Sequence, residues 1–362
     1  MGLKNPLAIF REQTFSMQKS SLIFLLVLMT LVFLGLTIQK PSGPLPKLSE
    51  YGLFTGKLSD HFPAEGVIPY ALNTPLFSDN AEKLRFVKIP DGATVSYNDS
   101  VVFNFPVGTI LVKTFYYPVD FRKPLEGRQL METRLLIRDQ KEWKALPYIW
   151  NAEQTEAFLD VAGDTKPVKY IDLQGKKMQH DYYIPNMNQC KGCHNKREAM
   201  TPIGPSARQL SGKTDYNGNP EVQLIHWAKM GKLTGLPETD RLPKAVVWND
   251  PATGSVSERA RLWLDINCAH CHQPSGPAST SGLFLGSYET DPSRLGVMKT
   301  PVAAGRGSGN LQYGILPGQP DKSILVYRME SKDPGVMMPE LGRSLAQKEA
   351  IALIREWVKG MN

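Results

Sequence analysis

The pentapeptide Cys-x-x-Cys-His occurs twice, as Cys190-Lys191-Gly192-Cys193-His194 and as Cys268-Ala269-His270-Cys271-His272, and the two copies use all four cysteines of the chain. Two thiols three positions apart reach the two vinyl groups on one side of a porphyrin, and the histidine after the second thiol meets the iron as proximal ligand. The repeat therefore predicts two covalently bound haem c groups, attached through Cys190, Cys193, Cys268 and Cys271, with His194 and His272 on iron. Each imidazole is expected to donate its Nδ1 proton to a backbone carbonyl, for which Gly204-Pro205 and Gly276-Pro277 are candidate sources. A porphyrin also supplies apolar surface to a small core, so the haem-free form is expected to fold poorly. Structural zinc is the competing reading of two Cys-x-x-Cys pairs, but their separation exceeds the gap of a zinc ribbon, and zinc would leave both histidines unexplained.

The sixth iron ligands are less sharply marked. For the second haem, Gly335-Val336-Met337-Met338-Pro339 precedes the closing helix, and Met338, held by the proline, is the candidate thioether; methionine ligation raises the reduction potential relative to a second histidine. Met338 is preferred to Met337 because it directly precedes the proline, and the competing reading has either methionine filling a hydrophobic gap. For the first haem, Met200 and Met230 rank above His226, which also reads as a hydrogen-bonded core histidine. An open sixth position is the alternative, and no ligand role falls on Met187.

Residues 21–38 form an uncharged apolar run, preceded by Lys4, Arg11 and Lys19 and followed by a Pro-rich stretch. That length crosses a hydrocarbon core once and keeps the basic end in the cytoplasm. The expectation is a cytoplasmic segment 1–20, an anchor 21–38 and a linker 39–46; a cleaved signal, which shares the basic start and apolar middle, is the alternative, and the lack of a clear cleavage site favours the anchor. Either reading exports the remainder to the periplasmic face of a bacterial cytoplasmic membrane. No cysteine near the run supports a lipid anchor. The formal charge of +7 comes without a Lys/Arg block, which excludes nucleic acid as a partner class. Lys191, Lys196 and Arg197 beside the first motif read as ordinary solvated charge, with guidance of an acidic redox partner as the alternative.

Between residues 47 and 184, period-two runs alternate with Gly and Pro turns. Val101-Phe103-Phe105, Ile110-Val112-Thr114-Tyr116 and Met131-Thr133-Leu135-Ile137 each set one face, and Trp143, Tyr148 and Trp150 read as packing of the same fold. Beyond Ile184 the pattern turns helical: residues 220–233 carry Val222, Ile225, Trp227 and Met230, and Ser255-Val256-Ser257-Glu258 is a capping box whose helix runs into the second motif. Ser344-Leu345-Ala346-Gln347 reads as another capping box before the stripe Ala350, Leu353, Ile354, Trp357, Val358 and Met361, which ends near Gly360. The expected fold class is multidomain α+β: an N-terminal membrane anchor, an antiparallel β-sandwich-like domain over 47–184, and two small, mostly α-helical cytochrome c-like haem domains over 185–245 and 246–362.

With these residues in view, the chain resembles a family of bacterial di-haem c-type cytochromes that have an N-terminal β-rich domain and are mostly described as conserved hypothetical proteins. The likeness runs from about Leu48 to Met361. It rests on Leu72-Asn73-Thr74-Pro75-Leu76-Phe77-Ser78-Asp79, the run from Phe105 to Phe115, Glu132-Thr133-Arg134-Leu135 and Tyr148-Ile149-Trp150-Asn151. In the haem region it adds Pro185-Asn186-Met187-Asn188-Gln189-Cys190, Pro202-Ile203-Gly204-Pro205, Asn267-Cys268-Ala269-His270-Cys271-His272, Pro317-Gly318-Gln319-Pro320 and Met338-Pro339. The resemblance implies haem c and electron transfer without naming a substrate or partner.

The leading functional expectation is a carrier of single electrons between periplasmic or membrane-bound redox proteins. A peroxidase-like oxidoreductase with an open first haem is the alternative, for which Glu198, Glu221 and His226 are the only acid/base guesses. A third reading gives the β domain a copper or docking role; with the proximal ligands assigned, His61, His180, His226 and His270 are the histidines left for copper. No nucleotide loop or nucleophile elbow is present in a strand-to-helix context, Gly305 to Gly309 reads as a flexible loop, and no catalytic residue is assigned.

Overall fold

The centre of the molecule is an antiparallel meander of six strands in chain order: β1 (Val67–Pro69), β2 (Glu82–Lys88), β3 (Ile110–Pro118), β4 (Arg128–Arg138), β5 (Trp143–Trp150) and β6 (Ala157–Leu159). This is a computed structural model, and it describes residues 43–362. The proposed cytoplasmic segment 1–20, the anchor 21–38 and the first half of the linker, 39–42, lie outside the described residues. Among the described residues no helix is long and apolar enough to cross a membrane.

Alternation puts two different surfaces on the sheet. Phe86, Val112, Leu135 and Leu146 stand in one cross-strand row and pack with Leu48, Leu53, Tyr148 and Trp150. That face also holds a satisfied polar chain. The His61 Nδ1–H donates to the Ser59 carbonyl at 3.0 Å, so Nε2 accepts from Thr114, which in turn accepts from Thr133 at 2.7 Å, and Trp150 donates to Thr133 at 3.0 Å. On the opposite face Val87, Leu111, Leu136 and Ala145 form an apolar row, and one register step away Arg85, Lys113 and Arg134 form a charged one. A bulge between Phe115 and Tyr116 shifts the β3–β4 register beyond these rows. A hairpin of β7 (Asp164–Ile171) and β8 (Lys177–Ile184) follows, and Tyr170, Tyr182 and Ile184 close a smaller core over Phe115 and Tyr117.

Two of the expected strands, over residues 110–116 and 131–137, lie in β3 and β4, and Trp143, Tyr148 and Trp150 are all buried. The run Val101-Phe103-Phe105 is not a strand; it makes only an isolated bridge from Val102 to Ser206, and Phe103 and Phe105 plug the core as loop residues.

The expected sandwich followed by two helical haem domains does not hold. The second layer over β2 to β5 is the segment of the first Cys motif itself. Its α-helices are short, namely α1 (Met187–Cys193), α2 (Ala207–Leu210) and α3 (Gln223–Lys229). Hairpins at Asn195–Lys196 with Ala199–Met200 and at Lys213–Tyr216 with Asn219–Val222 separate them. Leu233–Thr234 pairs in parallel with Val95–Ser96, so this segment joins the β-rich part by backbone as well as by side chains. Cys190, Met200, Leu210, Leu224 and Trp227 share one core with Ile68, Val87, Leu111 and Trp143. Of the expected stripe on residues 220–233 only Trp227 is fully buried; Val222 lies in the preceding hairpin, Met230 is exposed beyond the helix, and Leu224 takes the second buried place because the sheet covers a shorter face of α3 than the periodicity suggests.

The C-terminal part contains α4 (Val256–Asn267), α5 (Ile324–Glu330) and α6 (Lys348–Lys359), whose apolar faces meet around Trp263, Leu264, Val326, Ile354 and Trp357. Between α4 and α5 the chain runs in turns and short 3-10 segments. The Ser255–Glu258 capping box forms as expected, but α6 is capped at Gln347 without a side-chain bond. Ser344 is instead taken by Asp79, which accepts from the Ser344 amide and hydroxyl and from the Leu345 amide at 2.8 Å.

That contact belongs to a longer brace. The loop from Leu72 to Asp79 bonds Asn73 Nδ2 to the Arg208 carbonyl, the Thr74 amide to Gln209, the Trp248 amide to Thr74 and the Phe77 amide to Asn267. One loop of the β-rich part thus ties together the elements on either side of both Cys motifs.

Candidate cofactor centre

Each pentapeptide begins on a capped helix and ends in a tight turn. In α1, Asn186 and Gln189 exchange side-chain to backbone bonds at 2.9 Å, the helix holds Cys190 and Cys193, and His194 stands at its C-cap. The small hairpin after it turns Thr201 back onto the imidazole: the Thr201 amide donates to the His194 carbonyl at 2.9 Å, and His194 Nδ1 faces the Thr201 carbonyl at 2.9 Å. A carbonyl can only accept, so Nδ1 carries the proton and Nε2 keeps its lone pair.

In the second copy α4 delivers Cys268 at its C-cap, and the His272 amide closes on the Cys268 carbonyl at 2.9 Å. His272 Nδ1 lies 3.3 Å from Ser281 Oγ, whose single hydrogen is spent on the Ala278 carbonyl at 2.7 Å. The hydroxyl therefore accepts from Nδ1–H, and the Leu283 carbonyl is a further backbone acceptor for the same ring. The carbonyls of Gly204-Pro205 and Gly276-Pro277 play neither part. Burial, the largest cause in both cases, holds His194 and His272 at about 4, so both are neutral at pH 7, the form in which imidazole binds a metal.

All four thiols are free. Cys190 and Cys268 are pushed up by burial, the latter to about 12. The two copies meet in space despite their distance along the chain. Cys271 Sγ approaches the Gly192 carbonyl at 3.9 Å, the Arg197 amide donates to the Ser275 carbonyl at 2.9 Å, and a Cys193–Cys271 thiol contact holds Cys193 down and Cys271 up.

Each motif opens on its own cavity. The first, of about 650 Å³, is lined by Cys190, Cys193 and His194, with the second face of the sheet as its floor through Leu111, Leu136 and Ala145. The second, of about 500 Å³, is lined by Cys268, Cys271 and His272 and walled by the turns between α4 and α5. Both volumes fall in the roughly 300–1,000 Å³ range of cofactor pockets. The cavities adjoin: Cys193, His270 and the segment from Met338 to Leu341 line both. A bare ion is a poor match, since among the described residues no three His, Cys, Asp or Glu side chains converge as a metal-ion site. A porphyrin iron needs only one or two protein ligands and an apolar slot, which the two half-buried Cys-His turns and their cavities can accommodate.

Met338 lines the second cavity with His272, and its loop is stapled by Arg343, whose guanidinium donates to the carbonyls of Met338, Leu345, Arg328 and Ser331 at 2.8–3.2 Å. Met337 is buried against the first cavity only. The candidates for the first sixth position lie elsewhere. Met200 is buried in the core beside the sheet, Met230 is 45% exposed at the end of α3, and His226 is stacked on Tyr216 and paired with Glu221 at 3.0 Å; none lines the first cavity. Lys113, His270, Met329, Met337 and Met338 are among the donors that do, and Met338 therefore borders both cavities. The guessed acid/base groups Glu198 and Glu221 line neither cavity. Copper gains no support from His61, His180, His226 and His270: His61 sits in the sheet network, His180 on Tyr117 at 3.2 Å and His226 on Glu221.

His270, the variable residue of its own pentapeptide, has a buried Nδ1 without a partner and reaches the thiol of Cys193 in the other copy. Nothing in the spacing could mark that role, nor those of Thr201, Ser281 and Arg343, because each depends on a turn bringing it back.

No protein-family model matches the chain, and neither the curated proteins nor the solved structures contain one significantly similar to it.

Proposed function

We propose that this protein is a di-haem c-type cytochrome that carries single electrons between redox proteins, anchored by residues 21–38 at the periplasmic face of a bacterial cytoplasmic membrane. One observation carries the reading: two Cys-x-x-Cys-His turns present free thiols and neutral imidazoles to two adjoining cavities. Haem iron supplies a one-electron ferric/ferrous couple. The chain's own part is to attach through Cys190, Cys193, Cys268 and Cys271, to ligate through His194, His272 and Met338, and to orient these groups. Thr201 and Ser281 fix the tautomers, and Arg343 holds the Met338 loop. The contact between the two motifs favours exchange within the molecule, and the exposed Lys191 and Arg197 offer charge to an acidic partner. The likeness to bacterial di-haem cytochromes agrees with this reading.

A second reading, an oxidoreductase with an open first haem, draws support from the absence of Met200, Met230 and His226 from the first cavity. One experiment addresses both. Purified full-length protein is expected to give two haems per chain by pyridine haemochrome and low-spin spectra with a methionine-to-iron charge-transfer band that Met338→Ala abolishes and Met337→Ala retains. Carbon monoxide binding to half of the haem supports the open-site reading, and protein without covalent haem refutes both.

A further inference from the structure

Three basic side chains meet on the sheet face that floors the first cavity. Arg85 on β2, Lys113 on β3 and Arg134 on β4 are direct cross-strand partners, and all three line that cavity. Side chains opposed in this way stand about 5 Å apart, so like charges repel. Among the described residues only Arg134 has an ion pair: fully buried Glu132 holds it at 2.7 and 2.5 Å and also accepts from Tyr182 at 2.7 Å, while the Lys113 amine has only the Phe115 ring, 4.8 Å away, against it. Arg85, 7% exposed, and Lys113 have no ion pair among the described residues. The other acids lining the cavity are Asp79, engaged with Ser344 and Leu345, and the exposed Asp181 and Glu340. Burial lowers both Arg85 and Lys113, and the neighbouring cations Arg134, Arg85 and Lys83 add to the effect on Lys113. A guanidinium stays charged in a protein; one held in a cavity wall without an anion is a binding site in need of its partner. The next row, Leu111, Leu136 and Ala145, is apolar, so the wall is amphipathic: greasy over one strip and cationic along the next.

We propose that Arg85 and Lys113 form a seat for an oxyanion of the carboxylate class. The anion has two possible sources, the propionate edge of a porphyrin in the first cavity or a free small anion entering it. The propionate source rests on the cofactor reading above; the free-anion source does not.

The test uses full-length protein and the variants Arg85→Gln, Lys113→Gln and Arg85→Lys. Haem content is read first, because two haems per chain in the wild type separates failure of the cofactor reading from failure of the seat. If the seat holds a propionate, each Gln variant keeps two haems and shifts the propionate bending band of one haem in resonance Raman spectra. One of the two midpoint potentials also falls by about a tenfold change in the ferric/ferrous ratio, about 59 mV for one electron, and Arg85→Lys restores most of it. If the seat takes a free anion, the propionate band is unchanged and calorimetric titration with acetate or inorganic phosphate shows binding to the wild type at least tenfold tighter than to either Gln variant. Should a Gln variant fail to fold, Arg85→Lys, which keeps the charge and loses the forked donor, is expected to shift the band or weaken anion binding a few-fold. Unchanged propionate band, potentials and anion affinity overturn the proposal, with or without haem in the protein.

Discussion

The two cavities start from the same five-residue pattern and are built from different materials. The first leans on a β-sheet, so its floor is rigid, its charges stand in fixed cross-strand register and its core is continuous with the β-rich part. The second is enclosed by helices and by turns between α4 and α5, with a separate core. The Cys-x-x-Cys-His turn is therefore common to both sites, while electrostatics and dependence on the rest of the molecule differ. The β-rich part is a wall of one site rather than an appendage to two.

The largest expected effect breaks that comparison directly. Cys190→Ala with Cys193→Ala, and Cys268→Ala with Cys271→Ala, should each reduce haem content from two per chain to one. Only the first pair should also loosen the sheet, because it leaves an unfilled cavity in the shared core; its unfolding free energy should fall by more than the roughly 3–5 kcal/mol of a large aromatic truncation. Equal losses in urea titrations of the two variants would erase the distinction.

Next in size is Glu132→Ala, which strands Arg134 in the floor of the first cavity and should cost about 3–5 kcal/mol, the usual penalty for breaking a buried pair from one side. The spectrum of the second haem should not change. A change there would mean that the two sites are electrostatically one.

The far face of the sheet provides a control remote from both cavities. Burial, the dominant cause, lowers His61 from 6.5 to about 4. The unfolded chain takes up this proton near pH 6.5 and the folded protein only near 4, so the stability is complete above 6.5 and is lost as the pH falls toward 4. At about 1.4 kcal/mol per pH unit the loss is about 3 kcal/mol, and His61→Gln should flatten that part of the stability–pH curve. If the slope persists in the variant, other groups carry it.

The smallest effect is Ser281→Ala. It removes one of two acceptors around the His272 ring, a hydrogen bond worth about 1 kcal/mol, leaves the Leu283 carbonyl in place, and should raise the second haem's potential slightly by making the imidazole a weaker donor. The first haem should not respond, since a backbone carbonyl serves the same purpose there. Paired shifts in both potentials would show that the adjoining motifs titrate as a coupled unit.

Much of the candidate centre was legible because it is local. The Cys-x-x-Cys-His spacing, the helix entering the second motif and its Ser255–Glu258 cap all depend on residues within a few positions of one another. The misread parts share a different character. Val101-Phe103-Phe105 has strand periodicity but plugs a core from a loop, Ser344 has the look of a helix cap but answers to Asp79, and Met200, Met230 and His226 were plausible by proximity along the chain while the fold turns them elsewhere. The two Cys pairs, distant in the chain, lie side by side.

By itself the sequence determined which atoms are available for covalent attachment and ligation, because bond lengths and side-chain reach act over five residues. It also determined that strands fill much of the first half, because alternation reports a half-buried surface. Only the tertiary structure decided that one sheet face floors the first cavity, that Arg85 and Lys113 face it without anions, and that the two motifs touch. Those outcomes depend on strand register and on which apolar stripe covers which, and both are settled by packing among residues that have no local signal of each other.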